Sequence, residues 1–232
     1  IRYISNELKS SNICYDACMY TNGRLLTKDI AFELSELGVN KSVVITLDGL
    51  AQTYSKLKQC TEKDFYTVLE NIKAVKDILD IKIRLNISDE SKNDIEELYE
   101  LLTKKYEIQK NKISLYGIKQ YNKDIGVSNY SNATSNFIND FMNRHNIKKL
   151  LLRRSYGCSI RNKNYYCIYT NGDLYPCQTV IGKKEHCIGN IKTGLNKENY
   201  NEIWDIEKSI DDCKECVLLP QCLGACPNER YI

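Results

Sequence analysis

The sequence predicts an α/β fold with parallel βα units in its first half and a small cysteine-rich domain in its second. Short β-branched segments alternate with helical periodicity up to about residue 120, which is typical of parallel strands joined by helices. Most of the eleven cysteines lie in the second half, where long apolar segments are missing. We therefore expect βα units over 1–121, a linker and bridging helix over 122–150, and the cysteine-rich domain over 151–232.

Local signals define the elements in order. The expected elements up to residue 120 are strands at 12–20, 42–47, 81–87 and 112–120, and helices at 27–37, 65–79 and 91–106. Thr27 supplies a cap for the first of these helices, and Ser91-Lys-Asn-Asp94 resembles a capping box at the start of the last. Apolar residues at helical spacing indicate the helix at 65–79, and others mark a short helix near 137–142.

The strand at 81–87 alternates strictly between apolar and polar residues. Ile81, Ile83, Leu85 and Ile87 face one way, and Lys82, Arg84 and Asn86 face the other. A barrel with helices outside and a solvated interior requires this pattern, and an edge strand with one wet face fits it equally well. In a barrel, the candidate site residues at the strand ends are Thr21, Asn22, Thr46, Asp48, Arg84 and Asn86.

Charge and hydropathy argue against two classes of partner. The chain has 33 basic and 30 acidic side chains, mixed along its length, with a net charge of +3, which gives no reason to expect nucleic acid. Its apolar segments are shorter than the roughly 20 residues of a membrane-spanning helix. Abundant cysteines together with long amphipathic helices favour cytoplasmic metal binding over a secreted disulfide scaffold.

The densest motif comes at the end of the chain, where four cysteines are spaced CxxCxxxxxCxxxC. These are Cys213, Cys216, Cys222 and Cys226, and an upstream CxxxxxxxxxxxxxGxxxxC segment contributes Cys158, Gly172 and Cys177. Thiolates on tight turns can converge on one metal ion or cluster, whereas packing gives no reason to crowd thiols in this way. The compound spacing therefore predicts a metal or iron–sulfur site.

These cysteine segments resemble the signature of the SPASM domain, which binds auxiliary iron–sulfur clusters in radical S-adenosylmethionine enzymes. In the first half, Thr21-Asn22-Gly23-Arg24-Leu25-Leu26 is similar to the TNG stretch of that family, and Thr46-Leu47-Asp48-Gly49 is similar to its SLDG. The resemblance covers nearly the whole chain. It implies the C-terminal part of a partial (β/α)6 radical-SAM barrel followed by a SPASM domain.

Two departures from the family pattern concern cysteines. The CxxxCxxC motif for the cluster that cleaves S-adenosylmethionine is absent, because Thr21 stands where the run from Cys14 and Cys18 would need its third cysteine. We interpret Cys14 and Cys18 as packing residues, and the chain as a fragment that is inactive alone; a degenerate relative is the alternative. The seventh SPASM cysteine is also missing, because the chain ends six residues after Cys226.

The resemblance implies cofactors, ligands and partners. One auxiliary [4Fe-4S] cluster would use Cys158, Cys177 and Cys226, and a second would use Cys213, Cys216 and Cys222. Cys167 and Cys187 stand where apolar residues would serve equally, so packing is expected, with a ligand role as the alternative. The strand-end residues would contact S-adenosylmethionine or substrate, with Arg84 suited to a carboxylate, and the full-length parent would add a third [4Fe-4S]. That enzyme would modify a peptide or protein through a 5′-deoxyadenosyl radical, with flavodoxin or ferredoxin as reductant.

Three other functions are open. Gln178 follows Cys177 where anaerobic sulfatase-maturating enzymes typically have Asp, so ribosomal-peptide maturation is favoured over that branch. A zinc-binding interaction module needs only four ligands, and it leaves the first half of the chain unexplained. A ferredoxin-type electron carrier would explain the thiols but not the TNG and LDG turns.

Overall fold

A computed structural model describes residues 1–39, 41–118, 120–122, 126–128, 131–147, 159–162, 164–196, 213–217 and 219. The chain divides into two compact units, Ile1–Lys149 and Leu150–Ile232. The predicted ligands Cys158, Cys222 and Cys226 lie outside the described residues.

The first unit alternates helices with strands, and short 3-10 and π turns interrupt its second half. The helices are α1 (Arg2–Ser10), α2 (Lys28–Glu36), α3 (Ala51–Lys58), α4 (Glu62–Val75), α5 (Ile95–Glu100) and α6 (Asn132–Arg144). The strands are β1 (Cys18–Thr21), β2 (Ser42–Leu47), β3 (Ile81–Ile87), β4 (Ile113–Gly117), β5 (Gln120–Asn122) and β6 (Gly126–Ser128). This α/β alternation confirms the predicted fold class.

Four strands form a parallel sheet in the order β1-β2-β3-β4. Apolar side chains on one face of this sheet, such as Ile45 and Ile83, are fully buried in a single cluster with residues of the helices. On the other face, Thr46 and Arg84 are partly exposed and Tyr116 is largely exposed. The sheet therefore has one helix-covered face and one polar face that is accessible, as the alternation in 81–87 predicts; the partial barrel stays a prediction.

Several local expectations are wrong, and one helix was not predicted. Residues 12–17 are not part of a strand, because the chain there closes the C-terminal end of α1 with Asn12 at φ 53° before β1 begins. Cys14 and Cys18 are exposed, so they are not packing residues. Helix α3 was not expected at all, although Ala51 and Tyr54 are buried at helical spacing.

The capping box expected at Ser91–Asp94 is also absent. The Ser91 side chain accepts a hydrogen bond from the Ser88 amide (3.0 Å), and the Asp94 carboxylate accepts one from the Leu50 amide (3.0 Å). The region follows 3-10, α and π geometry in turn rather than one helix over 91–106. A capping box does form at the start of α4, between Thr61 and Asp64.

The second unit contains short strands and 3-10 turns in its described part. The strands are β7 (Cys167–Ile168), β8 (Asp173–Tyr175), β9 (Gly189–Asn190) and β10 (Gly194–Leu195), paired antiparallel in the order β10-β9-β8-β7. Its small core is formed by Ile160, Leu174, Tyr175, Val180 and Ile188.

None of the helices within the described ranges is both long enough and apolar enough to cross a membrane.

Candidate functional site at the strand ends

A chain of hydrogen bonds links three of the predicted site residues at the carboxyl ends of β2 and β3. Asp48 follows β2 and is 3% exposed, and its Oδ1 accepts a hydrogen bond from Asn86 Nδ2 at 2.8 Å. The Oδ1 atom of Asn86 accepts a hydrogen bond from Arg84 Nε at 3.1 Å. Because parallel strands end at one edge of a sheet, the fold brings these distant residues together.

The guanidinium group of Arg84 has a second partner on the polar face. Its Cζ lies 3.6 Å from the centroid of the Tyr116 ring, in a cation–π arrangement with a residue of β4. No described carboxylate forms an ion pair with Arg84. Its terminal nitrogens therefore lack a carboxylate partner in the described part of the chain, and they suit the two oxygens of a carboxylate.

Lys58 extends this series of hydrogen-bonded side chains beyond Asp48. The last residue of α3 places its Nζ 2.6 Å from Asp48 Oδ2, so that the buried carboxylate has a cation beside it. Burial raises the pKa of the neighbouring Tyr54 to about 12, and the nearby Cys60 and Asp48 contribute further. The Tyr54 hydroxyl therefore stays neutral well above physiological pH, and the ion pair of Asp48 is with Lys58.

Sequence reasoning missed Lys58 and Tyr116. Tyr116 carried a usable signal, because it shares the polar register with Asn86 in the neighbouring strand. No sequence signal indicated Lys58, because its role depends on α3 folding back against the turn that follows β2.

Thr46 lies on the accessible face, directly beside Arg84 in the sheet register. Thr21 pairs with Ile45, which belongs to the helix-covered face, so the structure does not bring it together with the others. Its Oγ1 accepts a hydrogen bond from the Gly23 amide (3.2 Å), and Asn22 Oδ1 accepts one from the Arg24 amide (3.1 Å). Both side chains thus stabilise the turn after β1, and contact with S-adenosylmethionine stays a prediction for all of these residues.

The LDG turn depends on its glycine. Gly49 has φ 132°, and a Cβ atom there would lie 2.9 Å from both Asp94 Oδ2 and Thr53. A side chain at this position would therefore displace the carboxylate that accepts the Leu50 amide at the start of α3. Gly49 thereby sets the direction in which α3 leaves the sheet and carries Lys58 back to Asp48.

In the second unit, a tight hairpin precedes Cys177. Gly172 closes the β7–β8 turn at φ 90°, and a Cβ atom there would lie 2.9 Å from the Ile191 side chain. The half-buried Cys177 follows β8, and its Sγ lies 3.5 Å from the Thr179 amide nitrogen that donates to it. Hydrogen bonds to sulfur are one means by which proteins tune iron–sulfur clusters.

The CxxC segment forms a single turn. The Cys216 amide donates to the Cys213 carbonyl oxygen at 2.9 Å, with Cys213 half-buried and Cys216 exposed. Within the described residues, no group of three or more His, Cys, Asp or Glu side chains is placed to hold a metal ion. The turn and its thiols fit the donor chemistry of a cluster, but the other predicted ligands on this tail lie outside the described residues.

Cys167 and Cys187 pack against the small core of the second unit. The Cys167 thiol donates to Tyr165 Oη at 3.4 Å, and the Cys187 thiol donates to the Gly189 carbonyl oxygen at 3.2 Å. These contacts agree with the packing role expected for both cysteines.

No protein-family model matches the sequence, and no curated protein matches it. Solved structures do match. Native anSMEcpe with bound AdoMet aligns with a TM-score of 0.63 and 16% identity, over 95% of this chain and 67% of that one. Streptococcus suis SuiB bound to S-adenosylmethionine aligns with a TM-score of 0.63 and 14% identity, over 100% of this chain and 60% of that one. Both of these structures contain bound S-adenosylmethionine (AdoMet).

The chain therefore shares the fold of these solved structures. A third structure, native anSMEcpe with bound AdoMet and the Cp18Cys peptide, aligns with a TM-score of 0.60 and 18% identity, over 97% of this chain and 69% of that one. The chain spans about two thirds of anSMEcpe and 60% of SuiB. At these identities the likeness concerns the fold alone.

Proposed function

We propose that the chain is part of a cytoplasmic radical SAM/SPASM enzyme that modifies a peptide or protein, of the ribosomal-peptide maturase type. The observation that carries this proposal is the series of hydrogen bonds Asp48–Asn86–Arg84, which is buried at Asp48 and Asn86 and reaches the accessible face of the sheet at Arg84. It presents a cation without a described carboxylate partner at the edge where parallel α/β folds bind ligands.

In this function, Arg84 binds the carboxylate of S-adenosylmethionine through its terminal nitrogens. Asn86 orients Arg84 by accepting from Nε, and Tyr116 supports one side of the guanidinium plane. When bound, S-adenosylmethionine would accept one electron from the third [4Fe-4S] expected in the full-length parent and would split into methionine and the 5′-deoxyadenosyl radical, which abstracts hydrogen from the substrate.

The second unit would hold the auxiliary clusters. One [4Fe-4S] would use Cys158, Cys177 and Cys226, and another would use Cys213, Cys216 and Cys222, because soft thiolates suit iron–sulfur clusters. Their role would be to relay electrons from a flavodoxin or ferredoxin, or to anchor the substrate. A reducing compartment keeps such thiols available, which is the basis for proposing the cytoplasm.

Peptide modification is supported by one neighbour, whose structure contains the Cp18Cys peptide. The neighbours include both anSMEcpe and SuiB at equal TM-scores, so the fold does not choose between their activities. Gln178 after Cys177 departs from the Asp of sulfatase-maturating enzymes, and this favours the peptide-maturase branch.

The test is a two-stage experiment on protein reconstituted without oxygen. Iron and acid-labile sulfide should reach about four to eight of each per chain, and Cys213→Ser should lower both. Cys60→Ser is the matched control, because Cys60 is also half-buried but lies in the first unit. Full-length enzyme should then transfer deuterium from a labelled candidate peptide into 5′-deoxyadenosine.

Two results would contradict the proposal in different ways. Zinc without sulfide would make the second unit a zinc-binding module. Clusters without deuterium transfer to 5′-deoxyadenosine would leave the fold assignment intact but remove the peptide-modifying activity.

A further inference from the structure

Lys58 neutralises a carboxylate that would otherwise be buried without a counter-charge. The Asp48 side chain is 4% exposed, whereas the Lys58 side chain is 32% exposed and reaches in from the end of α3. A buried carboxylate is costly unless a cation or several hydrogen bonds accompany it. Lys58 is the cation that ion-pairs with Asp48 in the described part of the chain.

The two oxygens of Asp48 have different tasks. Oδ2 faces Lys58, and Oδ1 accepts from the amide nitrogen of Asn86. Because the Asn86 amide donates through its nitrogen, its oxygen is turned toward Arg84. Arg84 is consequently held through Nε, and the edge of the guanidinium group formed by its two terminal nitrogens has no described carboxylate partner.

We propose that Lys58 is a positioning residue, which keeps Arg84 available for the carboxylate of S-adenosylmethionine by satisfying the charge of Asp48. This inference rests on the proposed function. Without Lys58, the cation that remains linked to Asp48 is Arg84, through the side-chain amide of Asn86. The electrostatic attraction between Arg84 and Asp48 is substantial in a part-buried site. Arg84 then turns from Tyr116 toward Asp48, and its terminal nitrogens pair with Asp48 instead of the ligand.

Two ligands that differ only in the carboxylate test this. We would measure the dissociation constants of S-adenosylmethionine and decarboxylated S-adenosylmethionine with reconstituted wild-type protein and with Lys58→Met. The variant should bind S-adenosylmethionine about tenfold more weakly, which is the scale of one lost charge-assisted hydrogen bond. Binding of the decarboxylated ligand should change less than about twofold, because that ligand makes no such bond.

Lys56→Met is the matched control. Lys56 lies on the same helix, and its Nζ pairs with Glu90 at 3.0 Å, but both side chains are largely exposed. This variant should bind both ligands as the wild type does, because exposed ion pairs contribute little. An equal loss of affinity for both ligands in Lys58→Met would show a merely structural role and would overturn the proposal.

A second variant separates charge from packing. Asp48→Asn in the Lys58→Met background removes the uncompensated charge, while its side-chain oxygen can still accept from Asn86. S-adenosylmethionine binding should therefore recover to within about threefold of the wild type. A double variant that binds as weakly as Lys58→Met alone would contradict the proposed mechanism.

A measurement without ligand keeps this inference separate from the proposed function. Arginine modification by phenylglyoxal, followed by peptide mapping, reports whether the guanidinium of Arg84 is available. Arg84 should react severalfold more slowly in Lys58→Met than in the wild type or in Lys56→Met, because Asp48 then holds it. Equal rates would overturn the role of Lys58 even if the wild type binds S-adenosylmethionine, and slower modification supports it even if neither ligand binds.

Discussion

The two units of the chain differ in the interactions that stabilise the interior of each. Among the described residues, 27 buried apolar side chains form one continuous core in the first unit, whereas five form the core of the second. The half-buried side chains around that smaller core are three cysteines and one isoleucine, namely Cys167, Cys177, Cys187 and Ile181. Among the described residues, apolar burial is therefore much more extensive in the first unit than in the second.

This difference agrees with the division of labour proposed for the two units. A rigid parallel sheet holds Asp48, Asn86 and Arg84 in fixed register, which a binding site needs. A small core of the size described in the second unit rarely stabilises a fold without metal ions, clusters or disulfides. We therefore expect the second unit to depend on bound clusters, special backbone positions and polar contacts.

The largest effect is expected from removing a core side chain of the first unit. Ile83 is fully buried on the central strand β3, so Ile83→Ala should lower the free energy of unfolding by about 2–5 kcal/mol. Hydrogen exchange with mass spectrometry should show faster exchange over 42–47 and 81–87. Lys82→Ala, which changes the exposed neighbour, should stay within about 0.5 kcal/mol of the wild type. Equal acceleration of the peptides at 164–196 would show that the two units do not unfold separately.

An intermediate effect is expected from a backbone change in the second unit. Gly189 has φ 149°, and a Cβ atom there would clash with the carbonyl oxygen of Gly194 across the β9–β10 pair. Gly189→Ala should therefore lower the free energy of unfolding of that unit by about 2–3 kcal/mol. Gly182→Ala is the matched control, because Gly182 also has positive φ (85°) but no atom of the described residues lies within 4 Å of its Cβ position. It should cost only about 1 kcal/mol, and equal losses for both variants would contradict the steric explanation.

The smallest effect concerns the pH dependence of the second unit. The pKa of Asp173 is held below its usual range by two hydrogen bonds that its carboxylate accepts. The bond from Asn190 has the larger effect, and the bond from Asn171 has the smaller. A carboxyl whose pKa is lowered by folding stabilises the fold above its unfolded pKa, and this stabilisation is lost as pH falls through the folded pKa. Protection factors of peptides at 164–196, which correct exchange for its intrinsic pH dependence, should therefore fall modestly between about pH 5 and pH 2.

Asp173→Asn tests whether this carboxyl is responsible. The variant carries no titrating group at that position, so its protection factors should depend less on pH over the same interval. Identical pH profiles for the wild type and the variant would assign the acid sensitivity to another group.

Local patterning predicted two strands of the sheet correctly, because the strands at 42–47 and 81–87 begin and end as expected. It also predicted the N-cap of α2, where the Thr27 side chain accepts a hydrogen bond from the Ile30 amide. β-branched runs and alternating burial are local signals. The expected capping box at Ser91–Asp94 failed because Asp94 is recruited by the Leu50 amide, 44 residues earlier in the chain. A competing tertiary partner of this kind leaves no trace in a local pattern.

The sequence by itself determined the α/β class, the polar and apolar faces of β3, and the grouping of thiols, because all three depend on spacing along the chain. Only the tertiary structure decided that Lys58 accompanies Asp48, that Tyr116 supports Arg84, and that Thr21 lies on the opposite face from Thr46. These relations depend on sheet register and on the direction in which α3 leaves the strand. Both are set by contacts between residues far apart in the chain, so no local pattern encodes them.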